Sequence, residues 1–151
     1  MADVLKEIKQ TKLFANPYQE ATINLIFTGK WMVNMHNEIF RSHGISFQQY
    51  NILRILRGSK KNQVTLKYIK ERMLDKRSDT SRVVDLMVKK DILERQIDPN
   101  DRRKVAVSIS DHGIKILDFF DTKQEELFGF LSHLSEEEIR TFNLLLTKAR
   151  G

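Results

Sequence analysis

Three consecutive cations, Arg102, Arg103 and Lys104, follow a chain reversal in this 151-residue sequence. The reversal is the turn DPND at residues 98–101, and the short runs on both sides, at 93–97 and 105–109, carry apolar side chains at alternate positions. Alternation at a period of two predicts strands, and the turn residues predict a hairpin. A hairpin with a cationic tip can enter a groove of strong negative potential, such as a narrow DNA minor groove. The plainer interpretation is a solvated surface hairpin.

A second set of polar residues precedes this hairpin, on a predicted helix whose buried stripe is Thr80, Val83, Val84, Met87 and Val88. The residues left on other faces are Arg77, Ser78, Ser81, Arg82 and Asp85. Arg77 and Ser78 are predicted near the helix N-terminus, where backbone N–H groups favour anions. An arginine there can pair with O6 and N7 of guanine. The alternative is that both arginines are ordinary solvated cations.

Other lysines are candidates for phosphate contacts, although each can equally be a plain surface residue. They are Lys60, Lys61, Lys67, Lys76 and Lys104. Residues 54–104 hold 16 Lys or Arg against 8 Asp or Glu, whereas the remainder holds 10 against 12. This asymmetry indicates a surface that meets a polyanion, and nucleic acid is a better candidate than a membrane.

The surrounding elements are predicted from caps and apolar spacing. Thr65 caps a short helix that carries Leu66, Ile69 and Met73, and a break near Asp75 separates it from the helix of the buried stripe. Two short helices followed by a basic hairpin predict a winged helix-turn-helix. Other expected elements are a long helix from Asn16-Pro17 to His43-Gly44, a helix from Ser46 to Gly58, a strand stub at Val64, a long helix from Ser110 to Leu131, and a last helix capped by Ser135 and Glu138.

Composition narrows the classes of function. The sequence has no cysteine, which excludes disulfides and thiolate zinc sites, and no apolar run long enough to cross a bilayer, so we expect a cytoplasmic protein without a membrane partner. His36 and His43 lie seven residues apart on one predicted helix, roughly 10 Å along its axis, too far to share a metal. No phosphate-binding glycine loop, nucleophile elbow or zinc-protease motif occurs. We therefore expect neither an enzyme nor a bound cofactor or metal.

Residues 64–113 resemble the MarR family of bacterial transcription regulators. The segment VTLKYIKERMLDKRSDTSRVVDLMVKKDIL matches that family's helix-turn-helix without a gap, and DPNDRRKVAVSISDHG matches its wing pattern. The wing positions are Asp101, Arg103, Ile109, Ser110 and Gly113. The flanking helices also follow the family's order. Departures are Lys70 in place of a small residue at the helix crossing, Leu74 in place of a glycine in the turn, and Asp91 in place of a glycine after the recognition helix.

The resemblance implies a mainly α fold with a small β-hairpin wing, in which long N- and C-terminal helices interlock two subunits. We expect three regions in one intertwined domain: an N-terminal dimerisation segment at 1–44, a winged DNA-binding lobe at 45–110 and C-terminal dimerisation helices at 111–151. Asp101 is expected to orient a wing arginine. The family commonly binds small aromatic or phenolic anions between these regions, and Trp31, Met35, Tyr50 and Phe120 are candidate pocket residues that can equally be core.

The sequence is best interpreted as a homodimeric repressor, or less often an activator, that binds a pseudo-palindromic double-stranded DNA operator and responds to a ligand. The predicted DNA contacts are Lys76, Arg77, Ser78, Ser81, Arg82, Arg102, Arg103 and Lys104. One alternative is a winged-helix protein-interaction module that reads no DNA. A second is an architectural DNA binder without sequence preference.

Overall fold

The fold consists of long helices at both ends of the chain and a winged lobe between them. The computed structural model describes residues 4–97 and 105–151, and of Ile97 only the backbone. The helices are α1 (Val4–Glu7), α2 (Pro17–Arg41), α3 (Phe47–Arg57), α4 (Leu66–Arg72), α5 (Thr80–Lys89), α6 (Asp111–Asp121), α7 (Gln124–Phe128) and α8 (Glu136–Ala149), with a 3-10 turn at Gly129–Leu131. The strands are β1 (Val64–Thr65), β2 (Leu93–Ile97) and β3 (Val105–Ile109). The expected mainly α fold with a β-hairpin wing is confirmed.

The three strands form one antiparallel sheet in the order β1-β3-β2. Leu93 lies opposite Ile109 and Ile97 opposite Val105, so β2 and β3 pair over their whole described length. Val64 of β1 lies opposite Val107 on the other edge of β3. Both predicted strands and the strand stub at Val64 are therefore confirmed.

One hydrophobic core joins the lobe to the flanking helices. Phe40 from α2, Leu53 from α3, Ile69 from α4, Met87 from α5 and Phe120 from α6 are all fully buried. The ring of Phe40 lies 4.6 Å from that of Tyr50 and 4.8 Å from that of Phe120, measured between centroids. Because Phe40 of α2 and Phe120 of α6 complete the core of the lobe, the winged lobe and these two flanking helices are one packed unit.

The predicted caps account for most helix starts. Ser46 with Gln49 and Ser135 with Glu138 each form a complete capping box. Thr65, Asn16 and Ser110 each accept a backbone N–H of the first turn that follows. Gln19 differs slightly from the prediction, since its Oε1 accepts from Ala15 N, one residue before the cap, at 2.8 Å.

The helix predicted from Ser110 to Leu131 is interrupted. It ends at Asp121, and α7 begins at Gln124. The Thr122 hydroxyl donates to the Phe119 carbonyl at 2.7 Å, and such local side-chain bonds compete with a continuing helix. Residues 121–126 also include no apolar side chain to hold a helical face against the core. The prediction of one continuous helix was therefore wrong.

At two junctions of the lobe, the backbone limits which residue can be accommodated. Asp91 adopts φ +56° between α5 and β2, the left-handed geometry expected where the family has glycine. Gly113 lies in the first turn of α6 against the wing. A Cβ on Gly113 would stand 2.3 Å from the Ile92 carbonyl oxygen, so the close approach of α6 to the residue before β2 requires a glycine there.

Candidate nucleic-acid interface

The residues that precede α5 form a hydrogen-bonded turn. Asp75 Oδ1 accepts from Arg77 N at 3.0 Å, and Asp79 caps α5 by accepting from Arg82 N at 3.1 Å. The helix therefore begins at Thr80, later than the sequence suggested, and Arg77 and Ser78 lie in the turn ahead of it. Asp79 was not among the predicted site residues, although its position ahead of the apolar stripe is typical of an N-cap.

The turn before α5 and the first turn of the helix each carry one free guanidinium group. Arg77, Ser81 and Arg82 are exposed, whereas Ser78 is half-buried with its hydroxyl 3.5 Å from that of Thr80. Among the described residues, neither the Arg77 nor the Arg82 side chain has a hydrogen-bond or ion-pair partner. Both groups are therefore available to an external acceptor.

Lys76 differs from these arginines. Its Nζ donates to the Glu71 carbonyl oxygen at 2.6 Å and so closes the end of α4. Lys60, Lys61, Lys67 and Lys70 are exposed. The exposure of Lys70 and of Leu74 (71% for Leu74) explains how the fold accepts large side chains where the family has small ones.

The turn between α4 and α5 is held from α3. Asn51 Oδ1 accepts from Leu74 N at 3.0 Å, and Gln48 Nε2 donates to Asp75 Oδ2 at 3.1 Å. These two side chains fix the direction in which α5 leaves the turn. Neither side chain was among the predicted site residues, because each bond joins residues more than twenty positions apart and leaves no local pattern in the sequence.

The wing strands lie beside α5. The predicted contact residues Arg102, Arg103 and Lys104, and the predicted orienting residue Asp101, lie outside the described residues. At the base of the wing, Ile92 N donates to the Met87 carbonyl at 2.9 Å and the Ser110 hydroxyl donates to the Asp91 carbonyl at 2.6 Å. The described part of the wing is thus attached directly to the end of α5.

A second attachment lies further along the wing. Arg95 Nη2 of β2 contacts Asp85 Oδ1 of α5 at 2.5 Å. The position of Asp85 outside the buried stripe of the predicted helix suggested a free polar residue. In the structure its carboxylate is instead paired with Arg95. The signal for this pair is the strand alternation, which places Arg95 on the same face of β2 as buried Leu93. A charged residue on the inward face of a strand needs a partner.

A cavity of about 520 Å³ separates α2 from the winged lobe. Its lining residues are Val33, Asn37, Ser46, Phe47, Gln48, Leu74 and Asp75. None of the four candidate pocket residues belongs to this lining. Tyr50 and Phe120 are core residues, and Trp31 packs edge-on against Phe130 with 5.8 Å between ring centroids.

The described residues offer no alternative site for metal chemistry. No group of three or more His, Asp or Glu side chains within 4–97 and 105–151 is placed to hold a metal ion. His36 is buried among aromatic rings, 5.3 Å from Phe47 and 5.2 Å from Phe130 between centroids. Over the same two segments, no helix combines the length and apolarity that crossing a bilayer requires.

Comparison with known proteins places this surface in a family. The MarR family model matches residues 43–104, which span α3 to the wing. The HTH-type transcriptional regulator MhqR of Bacillus subtilis is 30% identical over 118 residues, covering 77% of this chain and 80% of that protein.

Solved structures share the fold at lower identity. A Staphylococcus aureus MepR–DNA complex has a TM-score of 0.74 at 22% identity, covering 91% of this chain and 97% of that one. Bordetella bronchiseptica BpsR, solved in work on the regulation of its DNA binding by 6-hydroxynicotinic acid, has a TM-score of 0.76 at 16% identity, covering 91% and 98%. This chain therefore belongs to the MarR family and is a DNA-binding transcription regulator, not an enzyme.

Proposed function

We propose that this protein is a homodimeric, ligand-responsive repressor that binds a pseudo-palindromic operator in the bacterial cytoplasm. The observation that carries the proposal is the pair of free guanidinium groups, Arg77 and Arg82, at the exposed start of α5 beside the wing. A recognition helix enters the major groove with its N-terminal residues toward the base edges. Arg77 and Arg82 are the proposed base readers, and Ser78 and Ser81 are proposed to contact base edges or phosphate.

The wing supplies the proposed second contact. Arg102 and Arg103 would enter the adjacent minor groove, with Asp101 orienting one of them, while Lys104 would contact phosphate. Lys76 is proposed as a phosphate contact only through the part of its ammonium that Glu71 leaves free. This assignment separates base reading by α5 from groove and backbone contacts by the wing.

Exposed apolar residues on the terminal helices support the homodimer. Leu25, Ile26 and Val33 of α2 and Leu144 and Leu145 of α8 are exposed in the single chain. A Cβ on Gly29 would meet nothing within 4 Å among the described residues, so the fold of one chain does not require this glycine. A second copy packed on α2 and α8 would cover these residues, which agrees with dimerisation regions at 1–44 and 111–151 around a lobe at 45–110.

The cavity between α2 and the lobe is the proposed effector site. A small aromatic ligand would contact Phe47 and Leu74, and the effector named for BpsR is itself a hydroxylated aromatic acid. The lining described above includes the carboxylate of Asp75 and no cation. Because an anion would face that carboxylate without a counter-charge, we infer that a neutral phenol or an aromatic amine fits this site better than an acid.

Selection of bound sites from random duplexes tests the proposal directly. We expect an inverted repeat whose half-sites lie about 34–36 Å apart, the spacing that two recognition helices of a dimer require. Measured on the selected site, affinity should fall by roughly 10³–10⁵ between 50 and 200 mM salt if about 6–10 phosphates are neutralised.

The same measurements distinguish the alternatives. If the protein is a protein-interaction module, the selection will recover no preferred sequence, and no duplex will show a salt-dependent affinity. An architectural binder would show the salt dependence but prefer the selected site only weakly over random DNA. Recovery of a single half-site without a repeat would contradict the proposed dimer.

A further inference from the structure

We propose that Asp85 and Arg95 form a brace that sets the direction of the wing strands relative to the recognition helix, and that both are positioning residues for DNA binding. The proposal rests on the role of the wing proposed above. It assigns to Asp85 a function opposite to the one its charge suggests, because a carboxylate beside a DNA-binding helix would otherwise repel phosphate.

The brace is the outer of two attachments between α5 and β2. The inner one lies at the chain connection, where Ile92 N bonds the Met87 carbonyl. Arg95 follows three residues later, about 10 Å along the strand. A strand attached only at its base can pivot about that point, whereas a second attachment some 10 Å away fixes its angle. On the side of α5, the Asp85 contact therefore restricts the wing where the connection alone would not. On the opposite side, β1 pairs with β3 and Gln63 Nε2 donates to Gln96 Oε1 at 2.7 Å.

The environment of Arg95 makes the pair specific. The side chain is 29% exposed and that of Asp85 46% exposed, so the ion pair lies at the edge of the interface between helix and strand. Arg95 Nε is buried and has no hydrogen-bond partner among the described residues. Without the carboxylate of Asp85, this partly exposed guanidinium would be free to turn toward water, and the contact that holds β2 against α5 would be lost.

The geometry also argues against a direct role of Arg95 in base reading. Bidentate recognition of guanine uses two N–H groups of one guanidinium edge. In Arg95, Nε is enclosed and Nη2 contacts Asp85. The contribution of Arg95 to DNA binding is therefore made through the position of the strand that carries it.

The decisive variant is Asp85→Asn, because the two interpretations predict opposite signs. If Asp85 acts only by repelling DNA phosphate, loss of its negative charge from the proposed DNA-binding surface should strengthen binding. Replacing the carboxylate with an amide turns the charged hydrogen bond from Arg95 into a neutral one, and this weaker brace should lower the affinity for the selected operator by up to about tenfold. Asp118→Asn on α6 makes the same change in charge away from the wing and is expected to leave the affinity within about twofold. Stronger binding by Asp85→Asn would overturn the brace.

A double-mutant cycle with the wing cations separates failure of the brace from failure of the wing role. The reference is the Arg102→Ala, Arg103→Ala protein, which should bind the operator more weakly than the wild type. If the brace acts through the wing, Asp85→Asn will cause little further loss in that background. An equal loss in both backgrounds would show that Asp85 acts elsewhere. An unchanged affinity of the reference protein would refute the proposed role of the wing, and the brace with it.

Unfolding measurements complete the test. A pair this exposed contributes little to stability, so Asp85→Asn should shift the unfolding midpoint only slightly while it lowers affinity. A large loss of stability that accounts for the loss of binding would reduce the pair to an ordinary structural contact.

Discussion

Arg77 and Arg82 differ from the other described arginines of the lobe because their guanidinium groups have no partner among the described residues. Lys76 donates to Glu71, Arg95 pairs with Asp85, and Arg57 pairs with Asp121. A group already bonded within the chain must give up that bond to contact DNA, whereas a free one gives up only water. At the scale of single residues, sequence reading is therefore expected to depend on Arg77 and Arg82 first.

Arg77→Ala tests this expectation. If Arg77 reads a base, the gap in binding free energy between operator and random DNA should narrow by about 1–3 kcal/mol. Competition binding on both duplexes at one salt concentration measures the gap. Lys115→Ala removes one positive charge from the exposed face of α6 and serves as the control. Equal losses on both duplexes would instead assign Arg77 to phosphate.

At the scale of elements, α3 and α6 are joined by a bidentate ion pair. Arg57 Nη1 and Nη2 donate to Asp121 Oδ2 and Oδ1, each at 2.6 Å, and Arg54 lies 3.8 Å from the same carboxylate. The hydrogen bond from Arg57, with the nearby positive charge, lowers the pKa of Asp121 below its usual value although burial opposes this. The same hydrogen bond raises the pKa of Arg57. The pair thus fixes the last residue of α6, immediately before the helix ends at Thr122.

Acid should weaken this connection. Because the pKa of Asp121 is lower in the folded state, its contribution to stability is present above the unfolded pKa of about 4 and is lost as pH falls through the folded pKa. The Asp121 side chain is 43% exposed and that of Arg57 35%, so solvent screening limits the contribution to about 1 kcal/mol. Asp121→Asn should lower the free energy of unfolding by that amount at pH 7 and match the wild type in strong acid.

Denaturant unfolding across this pH range measures the difference. Asp118→Asn is the matched control, since Asp118 lies 3.8 Å from Arg57 and its side chain is 67% exposed. Its effect at pH 7 should be smaller than that of Asp121→Asn. A difference between wild type and Asp121→Asn that does not change with pH would contradict the assigned cause.

At the scale of the whole molecule, a single chain does not cover the apolar side chains of α8. None of its 14 residues is buried, although its apolar residues recur at helical spacing. An isolated helix of this length is marginally stable in water, so tertiary contact must hold it. Leu144 and Leu145 are 67% and 56% exposed. We expect the second subunit to supply the missing contact.

Leu144→Glu with Leu145→Glu should therefore weaken the dimer. Full burial of one leucine contributes about 1.5–3 kcal/mol, and a homodimer loses two leucines from each subunit. The dimer dissociation constant should therefore rise by about a hundredfold or more. Sedimentation velocity over a concentration series measures it. Leu74→Glu places one negative charge on the exposed turn between α4 and α5, away from α8, and should leave the dimer intact. A wild type that sediments as a monomer at all concentrations would contradict the proposal.

The sequence by itself determined the features that depend on neighbours along the chain. Alternation at residues 93–97 and 105–109 predicted β2 and β3, and Ser46 and Ser135 marked helix starts, because strand period and capping are local. The exposure of Arg77 and Arg82 was predictable for the same reason, as the apolar stripe defines the opposite face. Their contacts with DNA, like those of the wing cations, stay predictions.

Only the tertiary structure decided which polar residues are already bonded to one another. Asp85 and Arg95 are 10 residues apart, and Arg57 and Asp121 are 64 apart. The alternation of β2 indicates that Arg95 needs a partner, but no pattern in the sequence identifies Asp85 as that partner or pairs Arg57 with Asp121. The meeting of two surfaces depends on how every intervening element packs. The same is true of Tyr50 and Phe120, which fill the core instead of a pocket, and of the break at Thr122. Packing between distant segments, not local preference, determined these features.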